Sequence, residues 1–147
     1  MMATALKQHS DMPAELDELS RQVVDSCFAV HKELGPGLLE RIYEEALVAE
    51  LQGRSISVES QKAVPVFYKG QKLVSDYRID LVVNNRIIVE LKAVDRIAPV
   101  HEAQLISYMK LFSASLGFLV NFNESLIRDG IKRVVLSNNL RNFATSW

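Results

Sequence analysis

Apolar residues recur at helical spacing through the first part of the chain: Leu16, Leu19, Val23, Cys27, Val30 and Leu34 fall on one face of a helix over 15–34. Gly35-Pro36-Gly37 ends it, because Gly reaches backbone angles that other residues avoid and Pro lacks an interior donor. A second helix is expected over 38–52, closing at Gly53. From Ser57 the pattern changes to β-branched and aromatic residues separated by the polar turns Lys69-Gly70 and Asn84-Asn85. Three antiparallel strands follow, over 58–68, 72–83 and 86–92. Pro99 can open a helix at its first turn, where a missing N–H is no loss, and Leu105, Met109 and Phe112 make its apolar side. Two short strands, 117–122 and 131–136, complete an α-α-β-β-β-α-β-β order, which is mixed α/β. Residues 1–13 read as a flexible leader and 14–147 as one domain.

Composition adds few constraints. A chain of 147 residues, 48% apolar and 24% charged, can bury a core without disulfides or a structural metal. The lone Cys27 belongs to the apolar stripe of the first helix, and its expected role is packing. No apolar run approaches the ~20 residues needed to span a bilayer, and the N-terminus lacks a signal-like stretch, so a cytoplasmic protein with no membrane partner is expected. A net charge of −1 argues against strong non-specific binding to nucleic acid, so any such surface must be local. Arg128, Lys132, Arg133 and Arg141 are read as scattered solvated charges.

The chemistry is concentrated in two strands. In Ile87-Ile88-Val89-Glu90-Leu91-Lys92, two charges interrupt a run apolar enough to be buried on both faces. Strand alternation puts Glu90 and Lys92 on one side together with Ile88. Asp80 is the one acid in the similar run 77–83. If Asn84-Asn85 were a two-residue loop, Asp80 would oppose Val89 and turn away from Glu90. A three-residue loop, 84–86, pairs Val83 with Ile87 and Asp80 with Glu90, and places both carboxylates and Lys92 on one face. That loop is expected, with Asn85 or Arg86 in a left-handed conformation. Two carboxylates about 4 Å apart repel by roughly 4 kcal/mol at an effective dielectric of ~20, a large fraction of a domain's stability. A hard divalent cation offsets this better than Lys92 alone, and Mg²⁺ suits it because it needs few protein carboxylates.

Asp80, followed after a hairpin by Glu90-Leu91-Lys92, resembles the D…(D/E)XK signature of the PD-(D/E)XK nuclease superfamily. Gly37-Leu38-Leu39-Glu40-Arg41-Ile42-Tyr43 resembles the pattern of the GxxExxY protein family within it, and Gln104-Leu105-Ile106-Ser107-Tyr108 resembles the QxxxY motif of RecB-like nucleases. The residue before Asp80 is Ile79 instead of the signature proline. The resemblance covers roughly 16–136 and implies a restriction-endonuclease-like core, a mixed central β-sheet flanked by helices. It implies Asp80, Glu90, Glu40 and the backbone carbonyl of Leu91 as holders of Mg²⁺, with Mn²⁺ as a substitute. Lys92 is implied as the catalytic lysine, and Gln104 and Tyr108 as contacts to substrate.

Each of these residues also has a plainer reading. Glu90 and Lys92 could form an edge-strand ion pair, and Glu40 could serve only the helix macrodipole. Tyr43 is expected to be structural support. His101, with no second His at ligand spacing, is read as a polar helix residue. The function expected is metal-dependent hydrolysis of phosphodiesters in DNA or RNA. The alternative is a nuclease-like fold that binds or regulates with little or no turnover. A small phosphoester substrate is a third option, and a homodimer is one way for so small a domain to grip a duplex, though no sequence feature encodes it.

Overall fold

Two helices come first in the computed structural model, which describes residues 12–137. Residues 1–11 of the expected leader, Arg141 and Trp147 lie outside the described residues. Helix α1 (Ala14–Leu34) and helix α2 (Glu40–Gly53) precede strands β1 (Val58–Tyr68), β2 (Gln71–Val83) and β3 (Ile87–Lys92). Helix α3 (Pro99–Phe112), strand β4 (Leu116–Asn121), a short 3₁₀ turn (Ile127–Gly130) and strand β5 (Ile131–Val135) follow. The strands form one sheet in the order β1-β2-β3-β4-β5. All neighbours are antiparallel except β3 and β4, which run parallel because α3 carries the chain back between them.

Helix α2 begins two residues later than its apolar pattern suggested, at Glu40. The delay comes from the loop before it, where Gly35 and Gly37 both take positive φ. Tyr43, fully buried, holds that loop: its hydroxyl donates to Gly35 O at 2.6 Å and accepts from Leu38 N–H at 3.0 Å. Its ring stacks on Phe122 with centroids 4.7 Å apart.

The sheet is covered on both faces. Val23, Cys27, Tyr43, Leu47 and Leu51 of α1 and α2 pack with Leu81, Val83, Ile87, Val89 and Leu91. Leu105 and Met109 of α3 pack with Ile79, Val82, Ile88 and Leu119 on the other side. Gly117 permits that close approach, since a Cβ there would lie 2.7 Å from Met109 Sδ. Cys27 is buried and burial pushes its thiol up to about 12, which suits packing and not reactivity. Among the described residues, no helix is long and apolar enough to cross a membrane.

Because Tyr43 supplies both hydrogen bonds that close the loop before α2, Tyr43→Phe should destabilise the fold by about 1–3 kcal/mol, read as a lower melting temperature. An unchanged melting temperature would show that the loop is held by its glycines and packing alone.

Candidate active site

The β2–β3 hairpin has the expected register: Val83 opposes Ile87, Val82 opposes Ile88 and Leu81 opposes Val89. Its loop is the three residues 84–86. The left-handed residues are Asn84 and Asn85, at φ 51° and 56°, and not Arg86. Asn tolerates this region better than most residues, and Arg86 N–H still closes the turn on Val83 O at 3.0 Å.

Beyond Leu81 and Val89 the β2–β3 pairing stops, and the two acids take its place. Asp80 N–H donates to Glu90 Oε1 at 3.0 Å, and Leu91 N–H donates to Asp80 Oδ2 at 2.9 Å. Each carboxyl group is therefore anchored on the backbone of the opposite strand.

The expected single face is not how they meet. Regular alternation would put Ile79 and Val82 on opposite sides of β2, yet both pack under α3. The alternation therefore slips at Asp80. A matching irregularity lies across from it on β1, where Gln61 falls between the paired residues Ser60 and Lys62 and has φ 51°. The double slip turns Asp80 toward α2, where it lines a cleft of about 520 Å³ with Glu40, Glu44, Gln61 and Leu91. Glu90 stays with Ile88 on the α3 side and is only 6% exposed. The carboxyl groups meet in the gap where the strands part.

Their charges act on each other across that gap. Burial first, and then the charge of Asp80, push the Glu90 carboxyl up to about 9. Glu40 is raised by burial and by Asp80, and lowered by Lys92. Glu44 is raised by burial and again by Asp80, although Gln61, which donates to it at 2.8 Å, works the other way. Lys92 lowers Glu90 as well, but among the described residues it lies within 4 Å of no carboxylate. The site carries more negative charge than its one lysine balances.

The structure thus brings Asp80 and Glu90 into contact, with Glu40 and Lys92 within electrostatic reach. Tyr108 belongs to the group from the α3 side, since burial and then the charges of Glu90 and Asp80 raise its hydroxyl. The Gln104 side chain is exposed and makes no hydrogen bond to another described residue. Two residues were missed from the sequence. Glu44 is four residues beyond Glu40, and this helical spacing alone could have flagged it. Gln61 gave no comparable signal. His101 caps α3, accepting from Ala98 N–H at 3.0 Å on Nδ1, as its plainer reading held.

All the donors are hard oxygens, which favours a hard cation over zinc or copper. Among the described residues no three Asp, Glu, His or Cys side chains are grouped to hold a metal. Mg²⁺ nonetheless needs few protein carboxylates, since water and substrate complete its shell.

A family model described as the PD-(D/E)XK nuclease superfamily matches residues 17–134. The crystal structure of SSO0001 is similar to this chain, with a TM-score of 0.51 and 23% identity. The match covers 73% of this chain and 56% of that one, so this chain spans little more than half the length of SSO0001; at this identity the likeness is one of fold. No curated protein matches the sequence.

Since the folded protein holds the Glu90 proton more tightly than the unfolded chain does, this stabilisation is fully present below pH 4.5 and lost as pH rises towards about 9. The metal-free melting temperature should fall across that window, and Glu90→Gln should flatten the fall. At pH 8, binding of Mn²⁺ should release about one proton, read by titration calorimetry in buffers of different ionisation enthalpy. An unaltered pH profile in Glu90→Gln would sink this account.

Proposed function

The chain belongs to the PD-(D/E)XK nuclease superfamily, and from that premise we propose that it hydrolyses phosphodiester bonds in nucleic acid with a divalent cation held between Asp80 and Glu90. The observation that carries this reading is the pair of crossed hydrogen bonds, Asp80 N–H to Glu90 Oε1 and Leu91 N–H to Asp80 Oδ2, that holds both acids where the β2–β3 pairing stops. Within the superfamily we place the chain in the GxxExxY family, on Gly37, Glu40 and Tyr43. The physics of that spacing supports the placement: Gly37 supplies a left-handed turn, Glu40 starts the helix at the cleft, and Tyr43 ties down the loop one turn later.

Asp80 and Glu90 are the holders of the ion, which we take to be Mg²⁺ with Mn²⁺ as substitute, and the Leu91 carbonyl is a further candidate. Such an ion, when bound, polarises the phosphate and lowers the pKa of water. Glu40 and Glu44 line the cleft beside Asp80, where they can accept hydrogen bonds from water and fix its direction. Lys92, which forms no ion pair among the described residues, stabilises charge growing on the phosphate oxygens. Tyr108 offers a hydroxyl to substrate from the α3 side. Gln104, one turn earlier, is exposed and free to contact substrate, and is the weaker assignment.

With labelled DNA and RNA substrates, cleavage should require Mg²⁺ or Mn²⁺ and stop on chelation. Asp80→Asn and Lys92→Ala should each lower kcat by about 10²-fold or more. Glu40→Gln should cost about 10- to 100-fold, the size of effect seen when a group supporting a metal shell is removed. Cleavage that persists in chelator, or in Asp80→Asn, would refute the proposal. Metal binding with no cleavage of any substrate would instead favour a nuclease-like binding module.

A further inference from the structure

Strands β1 and β2 are much longer than their neighbour. β2 has 13 residues, but only Leu81, Val82 and Val83 pair with β3. From Gln71 to Ile79 it pairs with β1 alone, so the two strands extend from the sheet as a two-stranded ribbon. Isolated ribbons of this kind are marginal in water, and this one nevertheless exposes large rings: Phe67 at 61%, Tyr68 at 62% and Tyr77 at 45%.

Strand addition does not explain these rings. Pairing with another strand uses backbone groups at an edge and leaves the exposed side chains unaccounted for; the β1 edge also carries Pro65 and a register shift between Pro65 and Phe67, which block such pairing, while the β2 edge is open from Gln71 to Ile79. Charge points elsewhere. Between Gln61 and Ile79 lie Lys62, Lys69, Lys72 and Arg78 against the single acid Asp76, in a chain of net charge −1. Lys62 pairs with Glu59, whereas Lys69, Lys72 and Arg78 form no ion pair among the described residues. The Lys69 ammonium lies 5.4 Å from the centre of the Tyr68 ring.

The ribbon is continuous with the candidate active site. Asp80 follows Ile79 at its base, and the Tyr77 ring lies 5.2 Å from that of Tyr108, whose hydroxyl feels the charges of Glu90 and Asp80. We propose that this ribbon binds a single-stranded polynucleotide and leads it to the acids at its base. This deepens the nuclease reading and rests on it for the kind of ligand. Exposed rings beside cations that form no ion pair stack on unpaired bases and neutralise phosphates. A ribbon that reads a duplex groove presents forked donors to base edges instead, and rings and lysines dominate here.

Binding is read by fluorescence anisotropy of a labelled oligothymidylate in chelator, with Asp80→Asn as parent so that nothing is cleaved. Phe67→Ala and Tyr77→Ala should each weaken binding about tenfold, and Tyr77→Phe, which keeps the ring, should restore it. Lys69→Gln with Lys72→Gln should reduce the slope of log affinity against log salt by about 1.4. A duplex of the same length should bind more weakly and ignore the ring substitutions. Melting temperatures identify any variant that fails to fold, and Phe67→Ala, at an exposed tip position, is the control least affected. Unchanged oligothymidylate binding in the ring and lysine variants overturns the proposal. So does a preference for duplex, or self-association that the same variants abolish without any effect on oligonucleotides. Cleavage assays on the unsubstituted chain keep the two readings apart. Mg²⁺-dependent cleavage with ribbon variants that bind normally sinks the ribbon alone, and ribbon-dependent binding without cleavage sinks the nuclease reading alone.

Discussion

Two carboxyl groups that repel each other are held together by the backbone of the sheet. Asp80 accepts from Leu91 N–H while Glu90 accepts from Asp80 N–H, so each acid fills the place that a backbone carbonyl would take in an unbroken pairing. A buried amide without an acceptor is costly, and these two amides keep the carboxyl groups in place against their mutual repulsion. Burial, and after it the charge of Asp80, leave a proton retained on Glu90. In the proposed function, a cation replacing that proton would meet carboxyl groups already positioned, which reduces the ordering it must impose.

The rest of the fold serves this junction. Leu81 and Leu91 pack under α1 and α2, and Ile79 and Ile88 under α3, so both strands are clamped on either side of the acids. Tyr43 ties the loop before α2, and α2 in turn delivers Glu40 and Glu44 to the cleft, one helical turn apart. The left-handed Gln61 matches the slip at Asp80. Without a compensating irregularity in β1, the slip would leave the β1–β2 pairs on either side out of step. Instead Ser60 with Leu81 and Lys62 with Ile79 remain in one register. Backbone strain at a non-glycine residue persists only where its surroundings over-determine it, and here it lies beside the chemistry.

Much of this was readable in the chain. The helical period located α1 and α3, the change to alternation located the first three strands, and the demand that Asp80 meet Glu90 selected the three-residue loop over the two-residue one. What could not be read was the slip at Asp80. Alternation is the assumption with which strand faces are assigned, and the residues that break it, Gln61 and Asp80, look like ordinary polar strand positions. The single-face expectation failed for that reason, although the register behind it held. Glu44 lies one helical turn beyond Glu40 and outside every motif, so only its i, i+4 spacing marks it.

Net charge conceals a local arrangement. A value of −1 is an average over a molecule whose charges are separated: Glu40, Glu44, Glu45 and Asp80 line the cleft with the single cation Arg41, while Lys69, Lys72 and Arg78 lie on the ribbon. At physiological salt, exposed charges are screened over about 8 Å, so a polyanion touching the ribbon is little affected by acids elsewhere on the surface. At the base of the ribbon the same polyanion meets carboxylates that would repel it. In the proposed reading a divalent cation held there would neutralise them and remove that barrier where the chain reaches it, making the site accessible to phosphate.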